Sequence, residues 1–182
     1  MKNIILIGYR CTGKTSVGRK LAEFLDLPFY DTDQMIADRI GKTIKTWVEE
    51  KGWASFREEE KKVIQELSFG APGIVSLGGG AVMDPENQTT IRQAGRVIWL
   101  KAEVQTILER MKSDPNNQDN RPALSEMDRE NEAREILAQR TPFYEQTADW
   151  ILETDGKTIE VLVSELTALF QEHNGSAKNI NP

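Results

Sequence analysis

The sequence of 182 residues holds one cysteine, Cys11, and one histidine, His173. A lone cysteine cannot close an intrachain disulfide. A single histidine in the polar stretch HNGSAKNINP excludes histidine-pair acid/base chemistry and multi-histidine metal sites, so a carboxylate must do any base work. No apolar run approaches the roughly 20 residues that cross a bilayer. The apolar start of MKNIILIGYR runs straight into glycine and reads as a strand, not a signal peptide, which sets a cytoplasmic expectation. Positive charge is also scarce: 23 Lys and Arg against 29 Asp and Glu leave a net charge of −6. That balance argues against nucleic acid as a main partner, while a few focused arginines can still hold a small anion.

What remains is ordinary globular composition, 38% hydrophobic and 29% charged, with no internal repeat, low-complexity block or linker. The length favours one domain, placed here at residues 1–172 with a disordered tail at 173–182. Continuous apolar runs at 3–7 (NIILI), 73–77 (GIVSL) and 96–100 (RVIWL), with shorter ones at 28–31 and 150–152, predict five strands. Helical spacing predicts helices over 15–25, 33–40, 44–50, 53–68 (a break at Gly52 between the last two), 104–111, 128–140 and 158–170. Strands alternating with helices imply a three-layer α/β fold, a parallel sheet covered on both faces. The polar stretch SDPNNQDNRP at 113–122 has no periodicity and is long for a mere connector.

Gly8-Tyr9-Arg10-Cys11-Thr12-Gly13-Lys14-Thr15 fits G-x-x-x-x-G-K-[ST] at every fixed position, between a predicted strand and a predicted helix. The glycines let backbone N–H groups wrap an anion, and the helix behind adds its positive end. Lys14 would reach the outer phosphates of ATP and the Thr15 hydroxyl would ligate Mg²⁺; Arg10, Cys11, Thr12 and Ser16 complete the nucleotide-binding set. A chance glycine loop is the competing reading, and the strand–loop–helix context weighs against it. No N-K-x-D element for reading guanine is present, and the chain is short for a large ATPase.

Four further segments carry a resemblance to the shikimate kinase family over about residues 3–170. They are Asp31-Thr32-Asp33; Phe56-Arg57 with Glu60 and Ile64; Ile74 to Val82 with its triplet Gly78-Gly79-Gly80; and Arg121-Pro122 together with Arg140-Thr-Pro-Phe-Tyr144. The resemblance implies a P-loop fold of the nucleoside-monophosphate-kinase type with a mobile lid at 112–124. It implies transfer of the ATP γ-phosphate to the 3-hydroxyl of shikimate, with Mg²⁺, in a monomer that engages neither nucleic acid nor membrane.

The residue types suit that acceptor. Guanidinium forks at Arg57 and Arg140 match a carboxylate, and Glu60, one turn after Arg57, can hold it in place. Asp33 would orient or deprotonate the attacking hydroxyl, Gly79 and Gly80 would let backbone approach the ring, and Phe56 could pack against it. By resemblance, Asp31 assists the metal through water, the Ser76 region lies near that metal, and Arg121 covers the phosphates. Arg110 and the segment Thr154 to Lys157 correspond to adenine contacts.

Each residue has a plainer alternative. Asp31 and Thr32 are common helix caps, Arg57 could belong to a solvated charged face, Arg140 could cap a helix end, and the glycines could form a simple turn. A gluconate-type sugar-acid kinase and a non-catalytic nucleotide binder are the rival functions.

Overall fold

The computed structural model describes residues 2–113 and 126–176. Its centre is the strand β1 (Asn3–Ile7), all five residues buried. A strand buried on both faces sends alternate side chains to opposite sides. Ile4 and Leu6 join a cluster with Val17, Leu21, Leu162 and Leu166. Ile5 and Ile7 join Ile64, Ile91, Val97 and Tyr144 on the other face. The three-layer expectation is met: the first cluster is covered by helices α1 (Lys14–Leu25) and α7 (Ile159–Ser176), the second by α3 (Ile44–Phe69), α4 (Pro85–Ala94) and α6 (Glu126–Thr147).

The sheet has five parallel strands in the order β2-β3-β1-β4-β5, with β2 at Phe29–Asp31, β3 at Ile74–Ser76, β4 at Gly95–Lys101 and β5 at Trp150–Glu153. Register pairs Leu6 with Ser76 and Asp31 with Ser76. The carboxyl ends of β1, β2 and β3 therefore finish side by side, and three loops open onto one crevice where such folds bind ligands.

Three stretches depart from the pattern read in the sequence. Helix α4 was not expected, although its start is written in Asp84-Pro85: the Asp84 carboxylate accepts from the backbone N–H of Glu86 and Asn87, and proline occupies the first turn. Its buried face includes the amides Asn87 and Gln88, which hydrogen-bond the carbonyls of Ala81 and Val82, so hydrophobic periodicity could not mark it. Helix α6 continues through Pro142 to Thr147 rather than ending at Arg140. The proline is exposed, so its missing N–H costs the helix a bond on the solvent side. Helix α7 runs to Ser176, past the expected end at 170 and into the stretch read as a tail.

The expected break in α3 is present: Gly52 sits at φ 80°, ψ 166° inside the helix. Helices α2 (Thr32–Ile40) and α5 (Val104–Ser113) complete the set. Beyond Lys112 and Ser113, the stretch read as a lid, with Arg121, lies outside the described residues, as do 177–182. No helix among the described residues is long and apolar enough to cross a membrane.

Candidate active site

The phosphate loop leaves β1 at Gly8, whose φ of +139° and whose would-be Cβ, 2.5 Å from the Leu100 carbonyl oxygen, both demand glycine. Cys11 (φ 59°) and Gly13 (φ 96°) also take left-handed backbone, which curls the loop. The Lys14 ammonium donates to the carbonyls of Gly8 (2.9 Å) and Tyr9 (2.7 Å), and the Thr12 hydroxyl donates to the same Tyr9 carbonyl. Lys14 is only 9% exposed. Burial pushes its pKa down to about 8, against the pull of Asp33 and Asp31. A desolvated ammonium with a third donor to give fits an incoming phosphate.

Thr15 donates its hydroxyl to one oxygen of Asp31 at 2.9 Å. The other oxygen of Asp31 accepts from the backbone N–H of Asp33 and Gln34 and so caps α2. The plain capping reading of Asp31 is thus true, and it leaves the second oxygen facing Thr15. Among the described residues no group of three acidic or histidine side chains gathers. Mg²⁺ takes one or two protein oxygens and fills its shell with phosphate and water. Thr15 and Asp31 are the residues that would hold it, and Ser16 lies exposed beside them on α1.

On the acceptor side, α2 begins beside β3. Buried Thr32 accepts from the Gly78 N–H (2.9 Å) and reaches the Ser76 carbonyl (3.4 Å), fixing Asp33 next to the glycine triplet. Arg57, from α3, donates to Glu60 at 2.6 Å. Glu60 is 1% exposed, with its Oε1 lacking a partner among the described residues. Burial raises its pKa, opposed by Arg57, and neighbouring Asp33 raises it further. The solvated-face reading of Arg57 therefore fails.

Besides the expected approach to a substrate ring, the glycines have a reason within the protein itself. A Cβ on Gly78 would lie 2.7 Å from Asp33 Oδ1 and 3.0 Å from Glu60 Oε1; on Gly80, 2.5 Å from Arg57 Nη2; on Gly79, 3.3 Å from the Gly8 carbonyl oxygen and 3.4 Å from Arg140 Nη1. The triplet makes room for two of the protein's own acids and two arginines, and presses the acceptor side against the phosphate loop. Arg140, from α6, lies one turn before Tyr144, whose hydroxyl donates to the Gly79 carbonyl at 2.5 Å.

Of the residues described, Lys14, Thr15, Asp31, Asp33 and Ser76 line a cleft of about 860 Å³ that extends to Lys42 in the α2–α3 turn. Lys42 escaped the sequence reading because no spacing tied it to the loop. So did Tyr9, which fills a variable motif position. Phe56, expected against the ring, is 4% exposed and packs with Ile36 and Val63; the Arg57 guanidinium lies 5.1 Å from its centroid. Arg110 donates to the hydroxyl and carbonyl of Thr154 and to the Cys11 carbonyl, so the two expected adenine segments do meet beside the loop.

The sequence profile of the shikimate kinase family matches residues 10–171. The chain belongs to the shikimate kinase family. A shikimate kinase from Syntrophus aciditrophicus is 41% identical, the match covering 93% of this chain and 91% of that one. Among solved structures, shikimate kinase from Acinetobacter baumannii in complex with shikimate superposes with a TM-score of 0.87 at 32% identity, over 95% of this chain and 94% of that one. A gluconokinase from Sinorhizobium meliloti shares the fold alone, with a TM-score of 0.62 at 15% identity over 99% and 98% of the two chains. The fold is the nucleoside-monophosphate-kinase type of P-loop fold, and as a family member the chain uses ATP and Mg²⁺.

Proposed function

We propose that the chain carries its family's reaction out on shikimate, moving the γ-phosphoryl group of ATP to the 3-hydroxyl and releasing 3-phosphoshikimate and ADP toward chorismate and the aromatic amino acids. The observation that carries this reading is the convergence of Arg57 and Arg140 on the glycine triplet beside Asp33. Two guanidinium groups and one carboxylate, next to a phosphate loop, are what a hydroxylated ring acid needs.

In this reading Arg57 and Arg140 grip the shikimate carboxylate, and Glu60 keeps Arg57 turned inward. Asp33 accepts the proton of the 3-hydroxyl as its oxygen bonds to the γ-phosphorus and the bond to the ADP oxygen breaks. Lys14 stays with the phosphates and stabilises charge that moves onto the leaving group. Thr15 and Asp31 would hold Mg²⁺, which would supply charge neutralisation on the phosphate oxygens. Arg121 is assigned to the same phosphates, Arg110 to the adenine side, and Gly79, Gly80 and Phe56 to shaping the ring pocket. The net charge of −6 supports a protein with no nucleic-acid or membrane partner, and we read it as a cytoplasmic monomer.

The test is coupled ADP release across a panel of hydroxy acids. Turnover with shikimate and none with gluconate is expected. Turnover with gluconate alone would replace the acceptor, and nucleotide binding without transfer to any acceptor would make the chain a binder.

A further inference from the structure

Tyr9 occupies a motif position where any residue satisfies the phosphate loop, yet it is among the largest fully buried side chains. Its backbone carbonyl already serves Lys14 and Thr12, and that service does not depend on its ring. The ring packs with Ala102, Ile107 and Ala133, which brings the loop against α5 and α6. Its hydroxyl is buried with no hydrogen-bond partner among the described residues. What the ring does have is two cations. The guanidinium carbon of Arg10 lies 5.6 Å from the ring centroid, and that of Arg140 lies 5.7 Å away. Both are within the reach of a cation–π attraction.

We infer that Tyr9 is a positioning residue for the acceptor site: its ring holds Arg140 at the angle needed for the substrate carboxylate, and so ties that arginine to the phosphate loop. The inference rests on the reading that Arg140 binds that carboxylate. Arg140 is flanked on two sides. Tyr144, stacked on Trp99 at 5.6 Å, donates its hydroxyl to the carbonyl of Gly79, the glycine that Arg140 approaches, and Tyr9 faces the arginine from the loop side. Arg10 adds a second tie between loop and helix through Glu132, 4.0 Å away and one residue before the Ala133 that Tyr9 packs on. Glu132 and Arg140 share α6, so this contact joins the loop to the same helix that carries Arg140.

The experiment is steady-state kinetics of Tyr9→Leu, Tyr9→Met and Tyr9→Phe with shikimate and with its carboxamide, beside Arg140→Ala. Loss of the ring in Leu or Met raises KM for shikimate about five- to tenfold, the range of one desolvated cation–π contact, and leaves KM for ATP within about twofold. Tyr9→Phe behaves as wild type, since only the ring is used. The carboxamide, with no charge for Arg140 to meet, shows no penalty from Leu or Met, and Tyr9→Leu adds nothing to Arg140→Ala. Equal damage from Phe and Leu, an equal penalty on acid and amide, or additive single effects would overturn the inference. A silent Tyr9→Leu beside a damaging Arg140→Ala overturns it alone; a silent Arg140→Ala sinks the carboxylate reading beneath it. Should Leu not fold, Met carries the same comparisons.

Discussion

Arg57 and Glu60 form an ion pair at 2.6 Å in which the acid is 1% exposed and the base remains 35% exposed. The acid therefore bears the desolvation, and its pKa rises despite the partner. A carboxyl whose folded pKa lies above its unfolded value costs stability when ionised, and that cost disappears as pH falls through the folded value. Such a pair is better explained by aiming the arginine than by strengthening the fold.

Replacement by Glu60→Gln should then leave thermal stability unchanged or slightly higher near neutral pH, within about 1 kcal/mol, while raising KM for shikimate roughly tenfold with a smaller change in kcat. In the parent, shikimate KM rises as pH falls through the elevated Glu60 pKa, and the Gln variant loses that limb. A Tm that collapses with an unaltered KM would show the pair to be structural.

Asp33→Asn keeps the shape of the acid and removes its ability to take a proton. kcat falls by about 10² to 10⁴, the usual worth of a positioned base, with ATP affinity nearly intact by fluorescent nucleotide titration. Unchanged turnover would remove Asp33 from the chemistry.

Lys14 has the opposite linkage from the common lysine. Its folded pKa of about 8 lies below the ordinary 10.5, so its cost to the free protein is complete below about pH 8 and fades as pH rises from there toward 10.5. Lys14→Met should stabilise the nucleotide-free protein at pH 7 by about 1–3 kcal/mol, while abolishing tight ATP binding. In the parent, ATP affinity weakens above pH 8, and binding near that pH takes up protons. Calorimetry in buffers of different ionisation enthalpy measures the uptake; none at pH 8 would contradict it.

Gly80→Ala puts a methyl group 2.5 Å from Arg57 Nη2, at an ordinary φ of −104°. The clash is with the free end of a flexible side chain, so the arginine shifts and the backbone does not. Shikimate KM should rise about tenfold with a stability change within about 1 kcal/mol. A large loss of Tm with an intact KM would place the strain elsewhere.

Much of the fold was legible before any coordinates. NIILI could only be a strand buried on both faces, and the fixed glycines of the loop state their own geometry. The site residues Asp33, Arg57 and Arg140 were legible through the family resemblance, which their chemistry suits, and the structure brings all three to the triplet. That the triplet also makes room for the protein's own side chains was not legible, since which atoms crowd a glycine depends on residues far away in sequence. Helix α4 stayed hidden behind buried amides, and the end of α6 behind a proline that happens to face solvent. Tyr9 was invisible because its partner Arg140 is brought near only by packing against α6.

Asp31 commits one oxygen to the start of α2 and the other to Thr15. A genetic selection for cells that cannot make aromatic amino acids would therefore recover Asp31 alleles by two routes that look alike: a frayed helix that misplaces Asp33, and a missing oxygen at the proposed metal site. Alleles at Thr15, whose side chain caps nothing, would separate the two, and a suppressor that rescues only one class would say which route a given lesion took.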